Sequence, residues 1–256
     1  MNLIDTHCHI HSSNFEPDPE QTIKDAKLSG VNKLICVGTD LVDSTRAVDF
    51  VNGQNNCWAS IGIHPHQSKN YINEQDKLAE LKELSKSPRV VAIGECGLDY
   101  FYDHSPKKDQ IKIFEYQLNL AAERKLPLIF HVRNAFEDFW PIIENFKNIT
   151  GVVHSFTAGI KILDQTLNHN LMVGLNGIMT FTKDHSQLEA AKKVPIDRIL
   201  LETDAPFLAP QEFRGKTNQP KYITSTAKFL AELRGESVNE LSEYTTKNAI
   251  KLFNLS

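Results

Sequence analysis

Apolar residues gather in eight short, nearly continuous runs, at residues 2–9, 33–38, 57–64, 90–97, 126–132, 151–155, 171–177 and 198–204. β-Branched stretches such as Val90-Val91-Ala92-Ile93 favour strands. The runs are apolar throughout rather than alternating, which is the pattern of parallel strands covered on both faces. Helix-length amphipathic stretches separate them. Residues 110–124 place Ile111, Phe114, Leu118 and Ala122 at near-helical spacing. Residues 19–28 and 76–85 read the same way, and residues 223–233 and 238–253 add helical material after the last run. Eight β-α units in 256 residues predict an α/β chain folded as a (β/α)8 TIM barrel, a single domain over residues 1–256. A doubly wound open sheet is the competing architecture.

Composition narrows the class. An apolar fraction of 41% and a charged fraction of 23% are those of a globular chain able to bury a core. The formal net charge of −4 argues against a protein that coats nucleic acid through bulk positive charge. It leaves room for a nucleic-acid enzyme in which bound metal ions meet the phosphates. No apolar run is long enough to span a membrane, and Met1-Asn2-Leu3-Ile4-Asp5 lacks the basic and apolar regions of a signal peptide. A cytoplasmic protein without a membrane partner is expected. Cys8, Cys36, Cys57 and Cys96 are too few and too scattered for a disulfide framework and are read as buried reduced thiols.

Candidate chemistry lies where the strand-like runs end. They finish in His7-Cys8-His9, Gly62-Ile63-His64, Gly94-Glu95-Cys96-Gly97, Phe130-His131-Val132-Arg133, Val153-His154-Ser155 and Leu201-Glu202-Thr203-Asp204. In a parallel barrel these ends share one face, the face that carries the active site. Imidazoles and carboxylates gathered there are what a transition-metal site requires. Side chains alternate along a strand, so His7 and His9 point one way and Cys8 the other; one ion can take both imidazoles. Glu95 ends an apolar strand between glycines, where a carboxylate is costly to bury unless it meets a metal ion or a lysine or arginine. Its two oxygens can bridge two ions. His131 and His154, each of which alone is more often a hydrogen-bonded core histidine, would complete a second cluster with Glu95. Asp204 can ligate metal or act as a base, and Glu202, two residues deeper, can orient a ligating imidazole.

The remaining polar residues are read more weakly. His64 can touch a substrate oxygen, and His66 falls in a loop. His104, His169 and His185 carry little signal, and the last two are expected to be exposed. Arg133, Lys183, Arg214, Lys216 and Lys221 lie beyond strand ends, as solvated charge or as a lining for phosphates.

These motifs together resemble the TatD family of metal-dependent deoxyribonucleases, within the amidohydrolase-like barrels. The matching stretches are Ile4-Asp5-Thr6-His7-Cys8-His9, Gly62-Ile63-His64-Pro65-His66, Ile93-Gly94-Glu95-Cys96-Gly97-Leu98-Asp99-Tyr100, Leu128-Ile129-Phe130-His131-Val132-Arg133, Val152-Val153-His154-Ser155-Phe156 and Leu201-Glu202-Thr203-Asp204-Ala205-Pro206. The resemblance implies two divalent ions (Mg²⁺, Mn²⁺ or Zn²⁺), one held by His7, His9, Glu95 and Asp204 and the other by Glu95, His131 and His154. It also implies a DNA substrate, trimmed from the 3′ end of single-stranded or damaged strands. The chain departs from the family pattern at Gln219, where a glutamate is usual, at Phe101-Tyr102-Asp103-His104, which lacks an arginine before the aspartate, and in Ser155-Phe156-Thr157-Ala158-Gly159. These departures bear on substrate choice rather than on the ligands.

In the expected mechanism two ions about 3.5–4 Å apart stabilise an in-line attack of metal-activated water on a phosphodiester. Asp204 accepts the proton of that water, Glu95 joins the ions, and His64, Arg133, Arg214 and Lys216 contact the substrate. Two other readings keep the metals: an amidohydrolase-type enzyme acting on a lactone, amide or phosphoester, and a non-catalytic metal-stabilised binding protein.

Overall fold

The computed structural model describes residues 1–102 and 104–255. Its strands are β1 (Leu3–Cys8), β2 (Val31–Val37), β3 (Cys57–Ile61), β4 (Val90–Asp99), β5 (Leu128–Arg133), β6 (Gly151–Val153), β7 (Met172–Leu175) and β8 (Ile199–Leu201). They form one sheet in chain order. Its helices are α1 (Pro19–Leu28), α2 (Leu41–Asn52), α3 (Gln75–Leu84), α4 (Lys107–Arg124), α5 (Phe136–Glu144), α6 (Ile160–Asn168), α7 (His185–Lys193), α8 (Ile223–Arg234) and α9 (Val238–Phe253). Every predicted run overlaps one strand, with β2 starting two residues early and β4 and β5 running on to Asp99 and Arg133, and the (β/α)8 succession follows. Several helices begin on side-chain caps: Asp18 accepts from the Gln21 N–H (2.7 Å), Asp40 from Asp43 (2.8 Å) and Ser237 from Glu240 (3.1 Å), each satisfying a donor that the first turn leaves open. The chain has two compact units, residues 37–153 and residues 1–36 with 154–255.

In the unit built from both ends of the chain, β1 pairs in parallel with β2, and β7 with β8. The end of β1 also lies beside the segment after β8, where the His9 N–H donates to the Ala205 carbonyl (2.7 Å) and the Thr6 hydroxyl to the Leu201 carbonyl (3.0 Å). Asp5 is fully buried and ties the same two segments, accepting from the Thr203 N–H (2.9 Å) and hydroxyl (2.5 Å). Burial pushes its carboxyl up to about 7 against those hydrogen bonds. Helix α9 clasps the start of β1. The Asn2 carbonyl accepts from Ser242 (2.7 Å) and Thr246 (2.6 Å), and the Asn248 amide donates to the Ile196 and Ile199 carbonyls (2.9 Å each) at the start of β8.

In the other unit β3, β4, β5 and β6 pair in parallel. Phe114 of α4, Phe130 of β5 and Phe139 of α5 form its aromatic core, with ring centroids 5.1–6.0 Å apart. Gln117 of α4 grips the chain just after β3: its amide carbonyl accepts from the Ile63 N–H (2.7 Å) and its NH₂ donates to the Ile63 carbonyl (2.9 Å). That grip fixes the backbone that presents His64. All four cysteines are buried and none forms a disulfide. No helix among the described residues is long and apolar enough to cross a membrane.

Candidate metal centre

In the unit built from both chain ends, β1 brings His7 and His9 to one side, and their Nε2 atoms lie 3.2 Å apart. The Asp204 Oδ1 stands 3.5 Å from His7 Nε2 and 3.3 Å from His9 Nε2. Asp204 reaches that point because its backbone turns left-handed (φ 59°), a conformation that costs about 1 kcal/mol or more for a residue with a side chain and clusters at functional sites. Burial pushes the Asp204 carboxyl up, but the hydrogen bond of His9 and the charges of His7, His9 and His154 outweigh it and hold it low. The His154 ring stacks on that of His7 at 4.0 Å. Ligand atoms of His7, His154 and Glu202 all lie within 4.8 Å of one another.

Glu202 sits deeper than Asp204, with side chains 1% and 14% exposed. Its Oε1 accepts from the Ser155 N–H (2.6 Å) and lies 3.5 Å from His154 Nδ1. Its Oε2 is buried without a hydrogen-bond partner among the described residues. Only glycine fits beneath it: a Cβ at Gly174 would stand 2.4 Å from that oxygen.

In residues 37–153, Glu95 Oε1 lies 2.7 Å from His131 Nδ1 and 3.5 Å from His64 Nε2; the three residues form a second possible ligand group. His131 is oriented from its far side, where Nε2 donates to Asp99 Oδ2 at 2.9 Å. The same oxygen takes the His66 Nε2 at 3.0 Å. Burial pushes Asp99 up, and the hydrogen bonds of His131, His66 and Tyr102 outweigh it, holding its carboxyl well below the usual range. Asp99 is pinned in turn by α4, since its N–H donates to the side-chain amide oxygen of Gln110 (2.8 Å). His64 differs from its neighbours. Its Nδ1 accepts from the His66 N–H (3.1 Å), which leaves the proton of the neutral ring on Nε2. Burial and the charge of His131 push its pKa down to about 4, so His64 is a neutral donor near pH 7.

The basic candidates divide. Arg133 is exposed, with its guanidinium 3.9 Å from the Phe101 ring centroid. Arg214 is exposed over Phe181 (4.2 Å) and donates to the Ala209 carbonyl (3.2 Å), and Lys216 is exposed 5.9 Å from the Phe213 centroid. Lys183 is exposed too. Lys221 instead pairs with Asp25 at 2.8 Å and ties the segment before α8 to α1. His185 is exposed, whereas His169 is half-buried and donates to the Gln165 carbonyl. His66 lies in a 3₁₀ turn, Pro65–Asn70, rather than an open loop. Asp103 lies outside the described residues.

Three residues received no site role from the sequence. Asp99 stands in the matched motif, but the apolar run stops at Gly97 whereas β4 continues to Asp99; period two from Glu95 through Gly97 reaches it. His66 carried no periodic signal. His11, buried with its ring 6.3 Å from that of His9, falls past the strand end.

The donor set suits divalent cations. His7, His9 and Asp204 turn three lone-pair atoms toward one point at 3.2–3.5 Å, a convergence that repels unless a proton or a cation sits among them. The unpartnered Glu202 oxygen makes the same demand. Nitrogen and oxygen donors of this kind are those of zinc and manganese sites, with magnesium favoured as oxygens and water take over.

Comparison with known proteins agrees with this chemistry. Residues 4–254 match the family model described as TatD related DNase. The chain is 39% identical to the metal-dependent hydrolase YabD of Bacillus subtilis (strain 168), over 99% of this chain and all of that protein. It is 35% identical to the 3′-5′ ssDNA/RNA exonuclease TatD of Erwinia tasmaniensis, over 99% of this chain and 100% of the relative. Among solved structures it superposes on YjjV, a TatD homologue from Escherichia coli K12, with a TM-score of 0.92 at 28% identity, covering 99% and 98% of the two chains. The fold is thereby that of a (β/α)8 barrel, and a match of this extent, on strand ends that carry imidazole and carboxylate pairs, makes the chain a member of the TatD-related DNase family of metal-dependent hydrolases.

Proposed function

We propose that the protein is a two-metal phosphodiesterase that removes nucleotides from the 3′ end of single-stranded or damaged DNA. The observation that carries the reading is the convergence of the His7 and His9 imidazoles with the Asp204 carboxylate at 3.2–3.5 Å. In this reading His7, His9, Glu95 and Asp204 hold one ion, and Glu95, His131 and His154 the other. Bound divalent ions supply positive charge for the phosphoryl oxygens and lower the pKa of water. The protein does the rest. Asp204, held ionised by its imidazole neighbours, accepts the proton of the attacking water. With ions bound, the hydrogen bond to Asp99 would keep the His131 proton on Nε2 when Nδ1 gives up its own to become a ligand; Glu202 aligns His154. His64, neutral with its proton on Nε2, donates to a substrate oxygen. Arg133, Arg214 and Lys216 meet flanking phosphates.

The test is digestion of a single-stranded oligonucleotide by the full chain with Mg²⁺, Mn²⁺ or Zn²⁺, resolved by length. Stepwise shortening from the 3′ end, abolished by chelator and by Glu95→Ala, is expected. Activity that survives both defeats the proposal, and turnover of a lactone or amide in the absence of oligonucleotide cleavage replaces it with the amidohydrolase reading.

A further inference from the structure

Between β4 and α4, in residues 37–153, two large aromatic side chains stand in solvent: Phe101 is 54% exposed and Tyr102 43%. They do not hang loosely. Their rings meet edge to face at 4.8 Å. The Arg133 guanidinium lies 3.9 Å from the Phe101 centroid and 4.8 Å from that of Tyr102. Tyr102 stands perpendicular to His66 at 5.5 Å and stacks on His104 at 5.5 Å. Both backbone N–H groups donate to Asp99 Oδ1, at 2.9 and 3.0 Å. The other oxygen of that carboxylate takes His131 and His66. One buried aspartate therefore aligns a proposed ligand with one oxygen and sets the aromatic pair with the other.

We infer that Phe101 and Tyr102, backed by Arg133, form a stacking platform for an unpaired nucleobase next to the phosphodiester being cut. The inference rests on the nuclease reading. Two half-exposed rings set perpendicular to each other beside a guanidinium suit a flat heteroaromatic ring joined to an anion: the base stacks on one ring and meets the other edge to face, and its phosphate meets the Arg133 N–H groups. Stacking accepts any base, because every base has a π-face. It rejects a base inside a duplex, whose faces are already covered. The platform thus gives a selection for single-stranded ends without sequence preference.

Phe101→Ala, Tyr102→Ala and Phe101→Trp are compared with the parent chain in steady-state trimming of a single-stranded oligonucleotide. A second substrate carries abasic tetrahydrofuran units in its three 3′-terminal nucleotides. The platform predicts a rise in KM of about tenfold for each alanine variant with kcat within about twofold, and recovery with Phe101→Trp. On the abasic strand the parent's own KM rises about as much, and the alanine substitutions add nothing further. An unchanged KM in Phe101→Ala, or an equal loss on both substrates, overturns the platform while leaving the nuclease reading intact. A fall in kcat with loss of bound metal, measured by elemental analysis, also overturns it by giving the rings a supporting role only. A parent chain that trims neither substrate removes both readings at once.

Discussion

A carboxylate with four donors on it is rarely decorative, and Asp99 has four: two imidazoles on one oxygen and two backbone N–H groups on the other. Removing a partner that orients a ligating histidine typically costs about 10–100-fold in metal affinity or activity. Asp99→Ala is expected to fall in that range, read by titrating activity against Mn²⁺, with the apparent metal constant rising more than kcat falls. Asp5 serves packing instead. Its two hydrogen bonds to Thr203 are buried, so Asp5→Ala strands both Thr203 groups and is expected to cost about 2–3 kcal/mol in urea unfolding, while Asp5→Asn, which keeps an acceptor, costs less. At this scale the sequence was legible wherever a polar residue closed an apolar run, as at His7, His9, Glu95, His131 and His154. It was not legible for Asp99, His66 and His11, whose places depend on where a strand stops and how the following turn folds back.

Among the elements, β4 carries the most demanding geometry. Gly97 has φ 138°, and a Cβ there would lie 2.2 Å from the His131 carbonyl oxygen of β5. Gly97→Ala is expected to destabilise by at least about 2 kcal/mol through strain and forced separation of the strands, and to weaken metal binding with it, because the displaced strand carries His131. Gly53→Ala is the control: a Cβ there meets only the Phe50 carbonyl at 3.7 Å, and its thermal midpoint should not fall. Helices α1, α3, α4, α8 and α9 were readable from their amphipathic spacing. Helix α2, which follows its Asp40 cap, lies outside the predicted helical stretches, as do the nine-residue α5, α6 and α7; Pro141 inside α5 argues against a helix interior when read from sequence alone.

For the whole molecule, ligand linkage gives the measurable consequence. An ion that binds the native chain and not the unfolded one stabilises it by about 2.7 kcal/mol at a hundredfold excess over its Kd. In a chain of this length that corresponds to about 5–10 °C in Tm. Scanning calorimetry with and without Mn²⁺ or Zn²⁺ should show such a rise, reversed by chelator. In His7→Ala combined with His9→Ala the rise should shrink, and no rise in the parent chain would speak against any native metal site. The eight-run pattern was readable because parallel strands are covered on both faces. The division into residues 37–153 and the remainder leaves no mark in composition or linkers, since it cuts across a continuous succession of strands and helices.

The clasp of α9 on Asn2 joins partners 240 positions apart. At a translation rate of about 5–20 residues per second, the strand bearing His7 and His9 waits roughly 10–50 s on the ribosome before the helix that secures it has been made. Those imidazoles therefore leave the ribosome unfastened, and a nascent chain stalled short of Val238 would present them without the hydroxyls of Ser242 and Thr246 to hold their strand in place.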